Sequence, residues 1–397
     1  MRILAPTLAL IAVGTATAAD NAIRPEFEFG GFLNVLGRVG DMEAQSLGFN
    51  SIDDDRWHAR FNGFAGVDMD VRFTDAIGAR ADLWLVHDEA SFADPVLRDA
   101  YLAWSQGDWQ VKGGKMIRPL GWMSPHPERQ YRVRASTIGY DGHEPYYFSS
   151  RVLGNDPLGG SVTWGRRDAP VRLTAMLNNG FFYDEDAGNY ATGTTRENNG
   201  LGYGAIATFV PVDVAAIEFQ VAYDHGTDNN ATYVFGPSGP DVVPNGEDRG
   251  NTYRDSFGAQ DAGGDALFLD LNATVKPMSP LTIGFEVIRF AIGEGQDDGD
   301  TIDGTDYERW QGLLMGNWAF DRAPFPTSVT GMIQHIRAEM GNGPEGTAWE
   351  YAVALLTEPL DRVPLRLDGE LTWVQAESDE TGAAHQWEFA ARALLTF

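Results

Sequence analysis

The chain contains no cysteine, which excludes both a disulfide framework and thiol chemistry. Beyond its first nineteen residues it lacks any run of eighteen consecutive apolar residues, so no membrane-spanning helix is expected. Basic residues are scarce: 29 Lys and Arg stand against 57 Asp and Glu, a formal net charge of −28. An excess of carboxylates on this scale repels a polyphosphate backbone and removes nucleic acid as a partner. No cofactor and no resident metal is implied by the spacing of His, Asp and Glu.

Arg2, the apolar residues 3–13 and the small-residue site Ala16-Thr17-Ala18 read as a secretory signal peptide over residues 1–19. A single domain, 20–397, would remain, with 28 basic against 57 acidic residues and a net charge near −29. Glycine is abundant at 46 residues, and tryptophan and tyrosine together supply 24 more. An exported, acidic chain of this composition is either a large soluble all-β protein or an outer-membrane barrel.

Period-two alternation separates the two. From Trp57 to Phe73 the odd positions are all apolar or glycine, while His58, Arg60, Asn62, Asp68, Asp70 and Arg72 fall between them. At seventeen residues this segment far exceeds the five or six of a soluble-sandwich strand and suits a tilted membrane strand. The same alternation recurs in sixteen segments: 26–39, 57–73, 77–88, 97–106, 109–116, 157–166, 170–178, 200–210, 213–224, 264–276, 280–291, 306–320, 325–337, 348–358, 364–375 and 384–397. Short turns, among them Gly107-Asp108, Val210-Pro211-Val212 and Lys276-Pro277-Met278-Ser279-Pro280, alternate with longer connections such as 40–56, 117–156, 179–199, 225–263 and 292–305. An even strand number and sorted loops describe an all-β, sixteen-stranded antiparallel transmembrane β-barrel in the bacterial outer membrane.

Trp387, Phe389, Leu395 and the final Phe397 share one face of the last segment. This ending is similar to the terminal signal read by the outer-membrane barrel assembly machinery, which is thereby expected as a partner together with outer-membrane lipid and lipopolysaccharide. Residues 117–156 form the third long connection, and a third loop folded into the lumen is a feature of the sixteen-stranded porins that the chain resembles. At its entry, Gly114-Lys115-Met116-Ile117-Arg118-Pro119-Leu120-Gly121 resembles a run of the phosphate-selective porin family, departing from it at Met116 and Leu120, where the family shows aromatics. The resemblance implies a homotrimer and a water-filled pore for passive diffusion of small hydrophilic solutes.

Charge distribution points the pore toward anions such as phosphate. Between Gln110 and Arg172 there are ten basic and five acidic residues, while the rest of the mature chain holds 18 basic against 52 acidic. Lys112, Lys115, Arg118, Arg129, Arg132, Arg134 and Arg151 are the expected constriction, since cations in a narrow passage concentrate anions and arginine binds phosphate or carboxylate bidentately. By parity Arg38, Arg60, Arg72 and Arg80 should line one wall, and Glu218, Asp270, Glu286, Glu350, Asp368 and Glu370 the other. That arrangement would set a transverse field across the pore. A substrate-specific channel for carboxylates or sugars is the alternative, with Trp122, Tyr131, Tyr140, Tyr146 and Tyr147 as a sliding surface. A non-porin barrel, either an adhesin or a membrane hydrolase built on Ser328 and His335, is a further one. The acidic stretch 296–306 looks like a calcium loop without the EF-hand spacing, and reads as a solvated loop.

Overall fold

A computed structural model describes residues 25–42, 57–88, 91–92, 96–116, 120–122, 158–166, 168–180, 201–212, 214–224, 235–236, 239–240, 266–292, 307–340, 345–360, 363–378 and 382–397. The expected leader at 1–19, most of the 117–156 connection and the 296–306 stretch lie outside them. No helix occurs among the described residues.

Sixteen strands follow one another around a closed wall. They are β1 (Glu26–Met42), β2 (Trp57–Arg72), β3 (Ile77–Asp88), β4 (Val96–Gln106), β5 (Trp109–Lys115), β6 (Leu158–Trp164), β7 (Val171–Asn178) and β8 (Gly202–Val212). The second half comprises β9 (Ala215–Asp224), β10 (Ala266–Met278), β11 (Leu281–Ile292), β12 (Tyr307–Ala319), β13 (Thr327–Met340), β14 (Glu345–Thr357), β15 (Leu365–Ser378) and β16 (Gly382–Thr396). Each strand pairs antiparallel with its sequence neighbours, and β16 returns to β1 from Phe32↔Thr396 to Met42↔Gln386. Closure leaves no unpaired edge, which is what a sheet in hydrocarbon requires. The last contact of the seam is reciprocal: Gly31 N–H donates to Phe397 O at 2.9 Å and Phe397 N–H to Gly31 O at 3.0 Å. A Cβ on Gly31 would lie 2.7 Å from the Phe397 ring and 2.5 Å from the Gly66 carbonyl, so only glycine admits this approach.

All sixteen expected strands are present, their ends within three residues of the expected ones. Two expected turns are displaced. Val210-Pro211-Val212 belongs to β8 and Lys276-Pro277-Met278 to β10, so the turns contract to residues 213–214 and 279–280. The register shifts at both places, between Ala215 and Ile217 and between Val275 and Met278. A bulge frees the proline from donating a ladder hydrogen bond, so the strand runs past it. The long connections all leave the end opposite the two termini, although 341–344 and 379–381 at that end are short.

Parity sorts the two faces. On β14, Trp349, Tyr351, Val353 and Leu355 are 37–59 % exposed, whereas Glu350, Ala352 and Ala354 between them are at most 4 % exposed. The outer face repeats this belt from Leu33 and Val35 on β1 to Phe389 on β16. Apolar exposure so continuous is the surface of a barrel solvated by lipid.

Candidate functional site

The inner face is divided unevenly. Along β4–β9 it opens into a cavity of 710 Å³, lined by Tyr101, Lys112, Ser161, Thr163, Arg172, Thr174 and Glu218 among others. On β11–β14 the inward side chains are closely packed: Ile288, Leu313, Met315, Met332 and Ile336 are all buried. A wall that is half apolar inside is not expected for a pore lining, and its occupant begins with the third loop.

Leu120, Gly121 and Trp122 leave β5 and reach the far side. Gly121 N–H donates to Gln220 Oε1 on β9 at 2.7 Å, and Gln220 Nε2 returns a bond to the Gly121 carbonyl at 3.5 Å. Trp122 N–H donates to the Glu286 carboxylate on β11 at 2.7 Å, and its indole N–H to Thr274 Oγ1 on β10 at 2.9 Å. The indole packs on the cluster Leu313, Met315, Met332 and Ala352 and lies over Gly284, where a Cβ would collide with the ring. Two residues, Gly121 and Trp122, thus tie the loop's entry to inward side chains of three strands. Trp122 is an anchor against the packed wall and not part of a sliding surface. Tyr131, Tyr140, Tyr146 and Tyr147 lie outside the described residues, as do Arg118, Arg129, Arg132, Arg134 and Arg151.

The expected constriction residues on β5 separate. Lys112 faces the cavity, with Nζ 3.4 Å from the Tyr101 hydroxyl and 4.5 Å from the centroid of that ring. Lys115 pairs with Ala100 and Leu158, on the same outward parity as exposed Leu102 and Val162, so its position falls on the outer face. The expected pore-wall positions divide similarly. Arg38 and Arg60 are register partners on β1 and β2. Arg72 sits at the rim beside the termini, 3.5 Å from Glu26. Arg80 is bound to Asp70 at 2.6 Å and lies 3.6 Å from both Asp68 and Asp99.

The residues of the expected acidic wall point inward and, Glu218 apart, are buried. Glu286, Glu350, Asp270, Asp368 and Glu370 are inward but between 0 and 6 % exposed, because that half of the lumen is packed with side chains. Asp368 is held by Arg366 at 2.9 Å and by Arg392 at 2.6 Å, with both Asp368 and Arg392 side chains fully buried. Glu370 accepts from Thr372, Asp270 from Asn272, and Glu218 from Thr208. These carboxylates serve internal bonds. With Asp68, Asp70 and Asp99 beside Arg80, the described residues do not sort into a basic wall and an acidic one.

Ser328 and His335 lie on opposite faces of β13. Ser328 accepts from inward Asn317 Nδ2 at 3.1 Å, while the His335 ring packs on outward Trp349 at 4.4 Å, so the two cannot form a hydrolytic pair. Among the described residues no group of three His, Cys, Asp or Glu is placed to hold a metal ion.

No family model matches the chain, and no curated protein does so either. Solved structures do. A loop-deletion form of OmpT, an outer membrane protein of Vibrio cholerae, aligns over 94 % of this chain and 99 % of its own, at 10 % identity and a TM-score of 0.56. The outer membrane channel DcaP of Acinetobacter baumannii covers 96 % and 100 % at 11 % identity and a TM-score of 0.54. An anion-selective porin from Comamonas acidovorans covers 94 % and 100 % at 8 % identity and a TM-score of 0.53. The likeness establishes the fold. It does not extend to the phosphate-selective family suggested by the run at Gly114, for which no match is found.

Proposed function

We propose that the chain is an outer-membrane porin, a water-filled pore through which small hydrophilic solutes diffuse passively, with a bias toward anions such as phosphate. The observation that carries this reading is the 710 Å³ opening along the inner face of β4–β9 within a closed, lipid-solvated barrel. The bias is supported by Lys112 and Arg172, which line that opening and form no ion pair among the described residues, whereas Asp99 beside them is engaged by Arg80. The Comamonas structure that shares this fold is named as anion-selective. Export by the 1–19 leader, assembly through Phe397 and association as a homotrimer belong to the same reading.

Purified protein in planar bilayers should give stepwise conductances of open pores. A folded preparation that inserts and stays silent would sink the proposal. One feature favours a substrate-specific channel as the second reading: packing of the β11–β14 side confines the passage to one flank, where Tyr101 and Lys112 sit together. A specific channel shows saturable closure of its current by phosphate, a carboxylate or a sugar, and a general pore shows none.

A further inference from the structure

The outer face carries a cation in a position that hydrocarbon does not suit. Arg289 on β11 alternates with buried, inward Ile288 and Phe290 and so projects outward, its side chain 37 % exposed. Its Nε donates to Glu308 Oε1 on β12 at 2.6 Å, and the Trp310 indole N–H donates to the same oxygen at 2.9 Å. The guanidinium carbon stands 5.5 Å from the Trp310 ring centroid. One carboxylate therefore fixes both an arginine and the indole that the arginine covers. The two Nη groups of the fork have no partner among the described residues.

A second arginine completes the row. Arg289, Trp310 and Arg337 are register partners across β11, β12 and β13, and Arg337 is exposed on the same face. Strands lie about 4.8 Å apart, which sets the two arginine backbones roughly 10 Å from each other, a span that one headgroup covers. All three sit toward the end of the barrel from which the long connections leave. Aromatic side chains mark the membrane interface in barrels of this kind, and a lipid-facing arginine costs little there and a few kcal/mol at the midplane. Below the row the belt continues in exposed Phe285 and Leu314. Cations above and apolar surface beneath match an anionic lipid, charge to headgroup and belt to acyl chain.

The geometry points to a binding site for the phosphate of an anionic lipid headgroup on the outer face of β11–β13, with Arg289 as its fixed fork and Arg337 as its second cation. Arginine suits this task because its planar donors take two phosphate oxygens at once, and pinning by Glu308 and Trp310 reduces the freedom lost on binding. The site is separate from the pore and does not depend on what the pore conducts.

The test uses the full folded chain in micelles of phosphatidylcholine carrying a small fraction of phosphatidylglycerol, with retained lipids counted by native mass spectrometry. Wild type should retain phosphatidylglycerol over phosphatidylcholine. Arg289→Gln with Arg337→Gln should lower the apparent affinity for it by about tenfold or more, since each cation near such a surface contributes comparably. Arg322→Gln, in the turn at the opposite end, should change nothing. Trp310→Leu leaves both charges but releases the fork, and should also weaken retention. Heat-dependent gel mobility verifies that each variant is folded. Equal retention by wild type and the double variant would overturn the site. So would a double variant that loses subunit association while keeping its lipid, because the arginines would then face a second copy of the chain.

Discussion

At the scale of single residues, the consequence of a side chain is set by which face of the wall it occupies. Val67 is 49 % exposed on the outer face, and Asp68, its chain neighbour, is inward beside Arg80. Val67→Arg would place a charge in hydrocarbon at a cost of about 2–4 kcal/mol near the midplane. Asp68→Arg would lose an ion pair that is only 3.6 Å long and partly exposed, and would meet water. The yield of heat-modifiable, folded barrel should fall sharply for the first and modestly for the second, and equal yields would mean that the register is wrong. Arg392 is the contrasting case, an inward cation with no exposure, bonded to Asp368 at 2.6 Å. Arg392→Met leaves a buried carboxylate with Arg366 alone, so a loss near the lower end of about 3–5 kcal/mol is expected, read as a lower unfolding temperature in detergent.

At the scale of elements, the strands were legible because alternation is a local signal that lipid on one side makes strict. The sixteen segments and the outward belt follow from it directly. What alternation cannot carry is the occupant of the inside. Leu313, Met315 and Met332 are inward and apolar, a pattern that parity alone would have assigned to either face. Trp122, a residue more than a hundred and fifty positions away, packs against them. The burial of Glu286 was hidden in the same way, since its carboxylate accepts from the Trp122 N–H. One signal was present: Gly284, an inward glycine inside β11, marks a close approach from within. Gly284→Leu should expel the indole and free the entry of the third loop. Single-channel records should then show faster, noisier closures than wild type, and unchanged gating would mean that the loop is held elsewhere. At the seam, Gly31→Leu should displace Phe397 and lower the yield of closed barrel, with sensitivity to added protease as the readout.

At the scale of the molecule, the net charge of −28 says little about what passes, because inward carboxylates among the described residues, such as Asp368 and Glu370, are bonded within the wall. The described lining is balanced in formal charge, with Lys112, Arg166 and Arg172 against Asp99, Asp108 and Glu218. Arg166 is paired to Asp168 at 3.3 Å and Asp99 lies 3.6 Å from Arg80. A permeating ion therefore meets Lys112 and Arg172 as the cations not already matched in an ion pair among the described residues. Changing both to Glu moves the local charge by four units. At about 0.1 M salt the screening length is roughly 10 Å, which spans a narrow passage, and ions throughout it feel the change. The reversal potential across a salt gradient should shift from the anion side to the cation side. Near 1 M salt, screening shortens to about 3 Å, and the difference between wild type and variant should shrink. Arg132→Glu with Arg134→Glu, outside the described residues, supplies the companion measurement for the loop. If both double variants keep the wild-type reversal potential at low salt, the anion bias falls while the pore and its barrel stand.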